Sequence, residues 1–237
     1  MTAALDWNAI DLVVFDVDGT LYDQKRMRLV MLRRLLAATL RERSLRTLGV
    51  LRTFRQVRES LGDEEAAGFM QLQYSRTAER HGCTAQEVEA LTHEWMEQRP
   101  LDRIGGCRYP HLDTLFDALH AAGKRVAVLS DYPAVDKLRA LGLQADPVVC
   151  ATDAEIARLK PDPHGLQTVL RRTGVPAGRA LMIGDRFDRD GAVARRCGVR
   201  ALIRSRESHP DFETFRRYDD PVFQPLLSAR NASMAAA

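Results

Sequence analysis

The chain has no Cys-x-x-Cys pair; Cys83, Cys107, Cys150 and Cys197 stand far apart. That spacing gives no basis for a zinc site and fits reduced thiols in a cytoplasmic protein. No run of about 18 apolar residues exists, so no membrane span is expected. No basic stretch followed by an apolar one opens the sequence, so no signal peptide is expected. Low-complexity runs are absent too. Lysine is scarce: of 35 basic residues only Lys25, Lys124, Lys137 and Lys160 are lysine, the rest arginine. The net charge of +3 gives no argument by itself for a nucleic-acid partner.

What remains is a globular composition, 45% hydrophobic and 28% charged over 237 residues. That length suits one large domain, or a core domain with a smaller one, and buries a sizeable core. The chain is organised around residues 11–21. Leu12 to Phe15 form an apolar run with two adjacent β-branched residues, the pattern of a buried strand in a parallel sheet. The run stops at Asp16; Asp18 and Gly19 follow. Open α/β sheets place their ligands at strand carboxyl ends. Two carboxylates there can share a hard divalent cation such as Mg2+, which takes oxygen ligands and often a substrate phosphate. Asp16, kept ionised by the cation, can attack phosphorus, and Asp18 can give and take a proton. The competing reading makes both aspartates turn formers.

From about residue 24 to 100 the spacing is helical. Leu29, Leu32, Leu36 and Leu40 suggest one helix, and Leu48, Leu51, Phe54 and Val57 a second ending near Gly62. Asp63 is read as the cap of a third helix holding Phe69, Leu72 and Tyr74. Thr84 with Glu87 is a capping-box signature for a fourth, running to about Gln98. Pro100 and Gly105-Gly106 mark a boundary. A helical block this long exceeds what a crossover needs, so it reads as an inserted module over residues 24–103. Residues 24–62 hold eleven Lys and Arg against Glu42 and Glu59, while residues 63–99 are net acidic. Either the two faces complement one another, or the basic one steers an anionic substrate.

Beyond it, strand and helix alternate. Pro110 opens a helix to Ala122; strands follow at Arg125–Leu129, Pro147–Cys150, Ala180–Ile183 and Arg200–Ile203, with helices at Ala134–Ala140, Pro163–Thr173 and Asp190–Cys197. Repeated βα units imply an α/β class, a doubly wound parallel sheet. The core thus spans 1–23 and 104–227, with a tail from Ser228 expected to be disordered. The strand ends present further candidates. Ser130 can hold phosphate oxygens or simply cap a turn. Lys160, in Leu-Lys-Pro-Asp-Pro, can neutralise a phosphate and a carboxylate, or be a solvated loop lysine. Asp185 can complete a metal site; Asp190 can pair with Lys160 or hold a metal-bound water; Asp188 can cap the next helix.

In order, Asp-x-Asp-Gly-Thr-Leu, strand-Ser, Lys-Pro and Gly-Asp-x4-Asp resemble the four motifs of the haloacid dehalogenase superfamily. The match covers about 16–21 and 105–205. The resemblance implies a Rossmann-like core with a helical cap inserted after the first motif. It implies Asp16 as nucleophile, Asp18 as general acid/base, and Ser130 and Lys160 as phosphoryl binders. Mg2+ would be held by Asp16, Asp185 and the backbone carbonyl of Asp18, with Asp190 in support. Dehalogenases of that family lack an acid at the position of Asp18, so the resemblance points to the phosphatase branch, similar to phosphoglycolate phosphatases. A small phosphate monoester is the implied partner; a phosphomutase and a non-catalytic binding relative are the alternatives. Asp131 stands where many relatives have asparagine.

Overall fold

The computed structural model describes residues 5–42 and 45–235. Six parallel strands form one sheet: β1 Leu12–Phe15, β2 Arg125–Ser130, β3 Val148–Cys150, β4 Ala180–Gly184, β5 Arg200–Arg204 and β6 Glu213–Phe215. Their order is β3-β2-β1-β4-β5-β6. The chain builds outward from β1 to β3, then crosses back to pair β4 with β1, Phe15 beside Ile183. The crevice between the carboxyl ends of β1 and β4 is therefore the topological switch point, where such sheets bind ligands.

Every residue of β1 is fully buried because both faces of the sheet are covered. Alternation along the strand sends Val13 and Phe15 into one apolar layer with Leu115, Phe116 and Phe223. Leu12 and Val14 enter the other with Leu166, Val169 and Val193.

Between β1 and β2 stand α1 Gln24–Glu42, α2 Arg46–Asp63, α3 Phe69–His81, α4 Ala85–Thr92, α5 Leu101–Ile104 and α6 Leu112–Ala121. The capping box at α4 is present: Thr84 Oγ1 accepts from the Glu87 N–H and Glu87 accepts from the Thr84 N–H. That helix continues as a wider turn to Gln98. The remaining helices are α7 Val135–Leu141, α8 His164–Thr173, α9 Ala192–Arg196 and α10 Gln224–Ala235. No helix among the described residues is long and apolar enough to cross a membrane.

Several expectations are corrected. Leu29, Leu32, Leu36 and Leu40 do lie on a helix, but on its solvent face; Met27, Met31 and Leu35 are the buried side. Both stripes have helical spacing, so periodicity could not choose between them. Asp63 ends α2 rather than capping α3, which begins after Gly68 at φ +71. Pro110 lies outside α6, because His111 takes a positive φ between them. β6 is an additional strand, missed because its three residues carry one apolar side chain. The segment from Ser228, expected to be disordered, is helical through Ala235, carried on from Leu226 and Leu227, which are buried against the core; residues 236–237 lie outside the described residues.

The two faces of α1 make opposite predictions. Leu35→Ala should lower unfolding free energy by about 2–5 kcal/mol in urea titration. Leu36→Ala, one residue on, should change it by less than about 0.5 kcal/mol.

Candidate active site

β1 ends by delivering Asp16 to the switch point, where it is 5% exposed. Thr20 donates to Asp16 Oδ2 at 2.9 Å, and the Lys160 ammonium reaches Oδ1 at 2.6 Å. The same ammonium donates to Asp190 Oδ1 at 2.6 Å, so one buried cation joins two buried carboxylates. Asp190 Oδ2 accepts from the backbone N–H groups of Asp185 and Arg186, which fixes the turn after β4. Asp16, Asp185 and Asp190 can bring carboxylate oxygens within 4.8 Å of one another. Two glycines make room for this. A Cβ at Gly19 (φ +99) would overlap the Asp185 carboxylate, and one at Gly184 would overlap Asp190.

Three carboxylates face one ammonium. Burial alone would lower Lys160, but Asp16 and Asp190 outweigh it and hold the lysine protonated far above its usual range. Burial, with the Asp190 and Asp185 charges, pushes Asp16 well above the usual carboxylate range despite Lys160. Burial and Asp190 push Asp185 up to about 7. A buried surplus of negative charge with oxygen-only donors fits a hard divalent cation such as Mg2+.

Asp18 is arranged differently. Its carboxylate turns from the cluster and takes the Lys137 ammonium on both oxygens at 2.7 Å, with the Tyr22 hydroxyl on Oδ1. Burial would raise Asp18, but Lys137 and Tyr22 more than offset it, so the group is held below its ordinary value. Ser130 is buried at the end of β2; its Oγ accepts from the Tyr132 N–H, the turn role, while Asp131 and Tyr132 line the adjoining cavity. Asp131 Oδ1 accepts from the Lys160 N–H at 2.9 Å, so it fastens the lysine's loop to β2. Asp188 does not cap a helix; it pairs with Arg186 at 2.6 Å because that guanidinium lies two residues away.

A cavity of about 750 Å³ opens over these groups. Its floor is the strand ends; its other wall is α1, α2 and the turn after α4, through residues such as Met31, Arg55 and Trp95. Lys137 was missed from sequence. Its signal was available: a rare lysine on the helix directly after a strand that ends in a site residue.

The family model for haloacid dehalogenase-like hydrolases matches residues 10–198. A phosphoglycolate phosphatase of Rhodospirillum rubrum is 34% identical over 199 residues, covering 81% of this chain and 78% of the relative. The crystal structure of a 2-haloacid dehalogenase from Pseudomonas syringae superposes with a TM-score of 0.62 at 25% identity, over 93% of this chain and 99% of that one. A magnesium-bound hydrolase structure from Bacillus subtilis superposes with a TM-score of 0.65 at 14% identity, over 92% and 99%. With the four motif segments gathered at one switch point and the family model spanning most of its length, this chain belongs to the haloacid dehalogenase-like hydrolases.

Proposed function

We propose that the protein is a Mg2+-dependent phosphatase that hydrolyses a small organic phosphate monoester through an aspartyl-phosphate. The observation that carries this reading is the buried Lys160 bridge between Asp16 and Asp190, with Asp185 beside it. The 34% identical phosphoglycolate phosphatase supports it. Asp16, Asp185 and the Asp18 carbonyl would hold Mg2+, which when bound supplies positive charge to phosphate oxygens.

Thr20 and Lys160 fix the Asp16 carboxylate from two sides, so the nucleophile is oriented before substrate arrives. Attack of Asp16 on phosphorus forms the acyl phosphate and breaks the bond to the ester oxygen. Lys160 neutralises charge on the equatorial oxygens, and Ser130, whose Oγ only accepts from Tyr132, keeps its hydrogen to donate. An approaching phosphate dianion raises the Asp18 pKa and favours the protonated form that the leaving oxygen needs. Once that proton is given, Lys137 and Tyr22 stabilise the Asp18 anion, which then takes a proton from the attacking water. A halide leaving group would have no use for Asp18, so the residue favours phosphate esters. The block over residues 24–103 acts as the cap on a core of residues 1–23 and 104–227, closing the cavity from above.

Phosphate release from small esters, with Mg2+ and with EDTA, tests this. Asp16→Asn should leave less than about a thousandth of the wild-type rate. Asp18→Asn should lower kcat by about 10²–10⁴. Mg2+-dependent turnover surviving Asp16→Asn overturns the covalent route.

Metal binding should also show in stability. With its folded pKa pushed up to about 7, Asp185 binds more protons folded than unfolded. The metal-free protein therefore loses stability as pH rises from about 4 to 7. Mg2+ competes with those protons, so it should raise Tm more at pH 8 than at pH 5.5 in thermal melts. An equal shift at both values contradicts the acidic site.

A further inference from the structure

Orientation of the nucleophile passes through Thr20. This residue is fully buried, and its hydroxyl donates to Asp16 Oδ2 at 2.9 Å. Its backbone carbonyl accepts from the Tyr218 hydroxyl at 2.6 Å, and no other donor to that oxygen is found among the described residues. One residue of the turn after β1 is thus held through its backbone and holds Asp16 through its side chain. Tyr218 stands between β6 and α10, beyond residue 198 where the family match ends, and it does not line the cavity.

The surroundings of Tyr218 aim its hydroxyl. The side chain is fully buried among Phe215, Phe223 and Tyr109, with ring centroids 5.2, 5.8 and 6.4 Å away. Its turn is closed by Asp220, whose Oδ2 accepts from the N–H groups of Arg216 at 2.7 Å and Arg217 at 3.0 Å. Ring and backbone are therefore both fixed, and the hydroxyl reaches one acceptor. A phenylalanine would fill this aromatic cluster without the cost of burying an oxygen, which only a hydrogen bond offsets. If Tyr218 served only to anchor the segment after β6, the rings would suffice. The oxygen's one hydrogen bond goes instead to the turn that carries the nucleophile.

We propose that Tyr218 is a positioning residue: its hydroxyl fixes the Thr20 carbonyl, which sets the Thr20 hydroxyl and through it the aim of the Asp16 carboxylate. The role rests on the phosphatase reading, in which Asp16 attacks phosphorus, and adds to it a residue outside the four motifs. Thr20 and Lys160 hold opposite oxygens of Asp16. Loosening Thr20 leaves the carboxylate held at Oδ1 alone and free to turn about that bond. Attack needs the reacting atoms about 3–3.5 Å apart and aligned, and a misplacement of about 1 Å costs about 10²-fold. Substrate binding uses Lys160 and the metal ligands, to which Tyr218 makes no hydrogen bond, so the effect falls on kcat rather than KM.

The test is phosphate release by the full-length protein in Mg2+, from phosphoglycolate and p-nitrophenyl phosphate, at a temperature well below the Tm of every variant. Tyr218→Phe should lower kcat about tenfold and leave KM within about twofold. Thr20→Val, which removes the hydroxyl and keeps the carbonyl, should lower kcat at least as much, and Thr20→Ser should recover part of that loss. Adding Tyr218→Phe to Thr20→Val should change kcat by less than about twofold, because Tyr218 then has nothing left to aim. Asp220→Ala keeps the hydroxyl but frees its turn, and it serves as the second variant should Tyr218→Phe not fold. It should lower kcat by a smaller factor, again without moving KM. A lower Tm with unchanged kcat makes Tyr218 an anchor only and overturns the inference, as do losses that multiply in the double variant. Wild-type protein that releases phosphate from neither ester removes the phosphatase reading and this role together. Release that Tyr218→Phe leaves at the wild-type rate removes the role alone.

Discussion

One buried ammonium holds the site together. Lys160 comes from the loop before α8, Asp16 from β1 and Asp190 from the turn after β4. Three segments distant in sequence are thus fixed to a single atom in a region from which water is excluded. Stripping water from three charges is expensive, and their attraction compensates only when the geometry is good and the remaining polar atoms are satisfied. Here they are: Thr20 takes the second oxygen of Asp16, backbone N–H groups take that of Asp190, and Asp131 secures the lysine's own backbone. Removing one member of such a set strands the others without partners.

The helical block is tied to this same point. Arg189, 5% exposed, bonds the Lys160 carbonyl while reaching Asp63 at the end of α2. Arg186 reaches Glu59, and Arg196 reaches Glu65. Exposed pairs of this kind contribute little one at a time. Together they set where the block rests, and Arg189 is the one whose desolvation makes its partners matter. Of the two charged halves read from sequence, acids in and just after α2 pair with core arginines, and basic residues on α1 and α2 line the cavity.

The sheet and the gathering of Asp16, Lys160, Asp185 and Asp190 at its strand ends were legible because both follow from short-range patterns. An apolar run that stops at an acid marks a buried strand with a polar end, and two such ends, at Asp16 and Asp185, with Ser130 ending β2 between them, mark the switch point. What escaped depends on contacts between distant segments. Lys137 acquires its role only when α7 brings it to Asp18 in the turn after β1, and Asp131 only when the loop of Lys160 folds against the end of β2. The leucines of α1 have the period of a buried face, yet the neighbouring methionine stripe is the one that meets the core. Two equally spaced stripes on one helix carry no information about which side the rest of the protein occupies. β6 is held by its place beside β5 and by Phe215 against Tyr218 and Phe223, none of which shows in three residues of local sequence.

Gly19 and Gly184 carry no functional atom, yet each occupies the only volume left by a carboxylate that does. At Gly184, which sits in a regular strand, the constraint is spatial exclusion alone; at Gly19 it adds to a φ of +99 that other residues rarely adopt. A side chain at either position would have to displace a carboxylate of the site. A survey of mutational tolerance would therefore draw the outline of the catalytic centre one layer wider than its chemistry, and the outer layer would be written in residues that do nothing except stay out of the way.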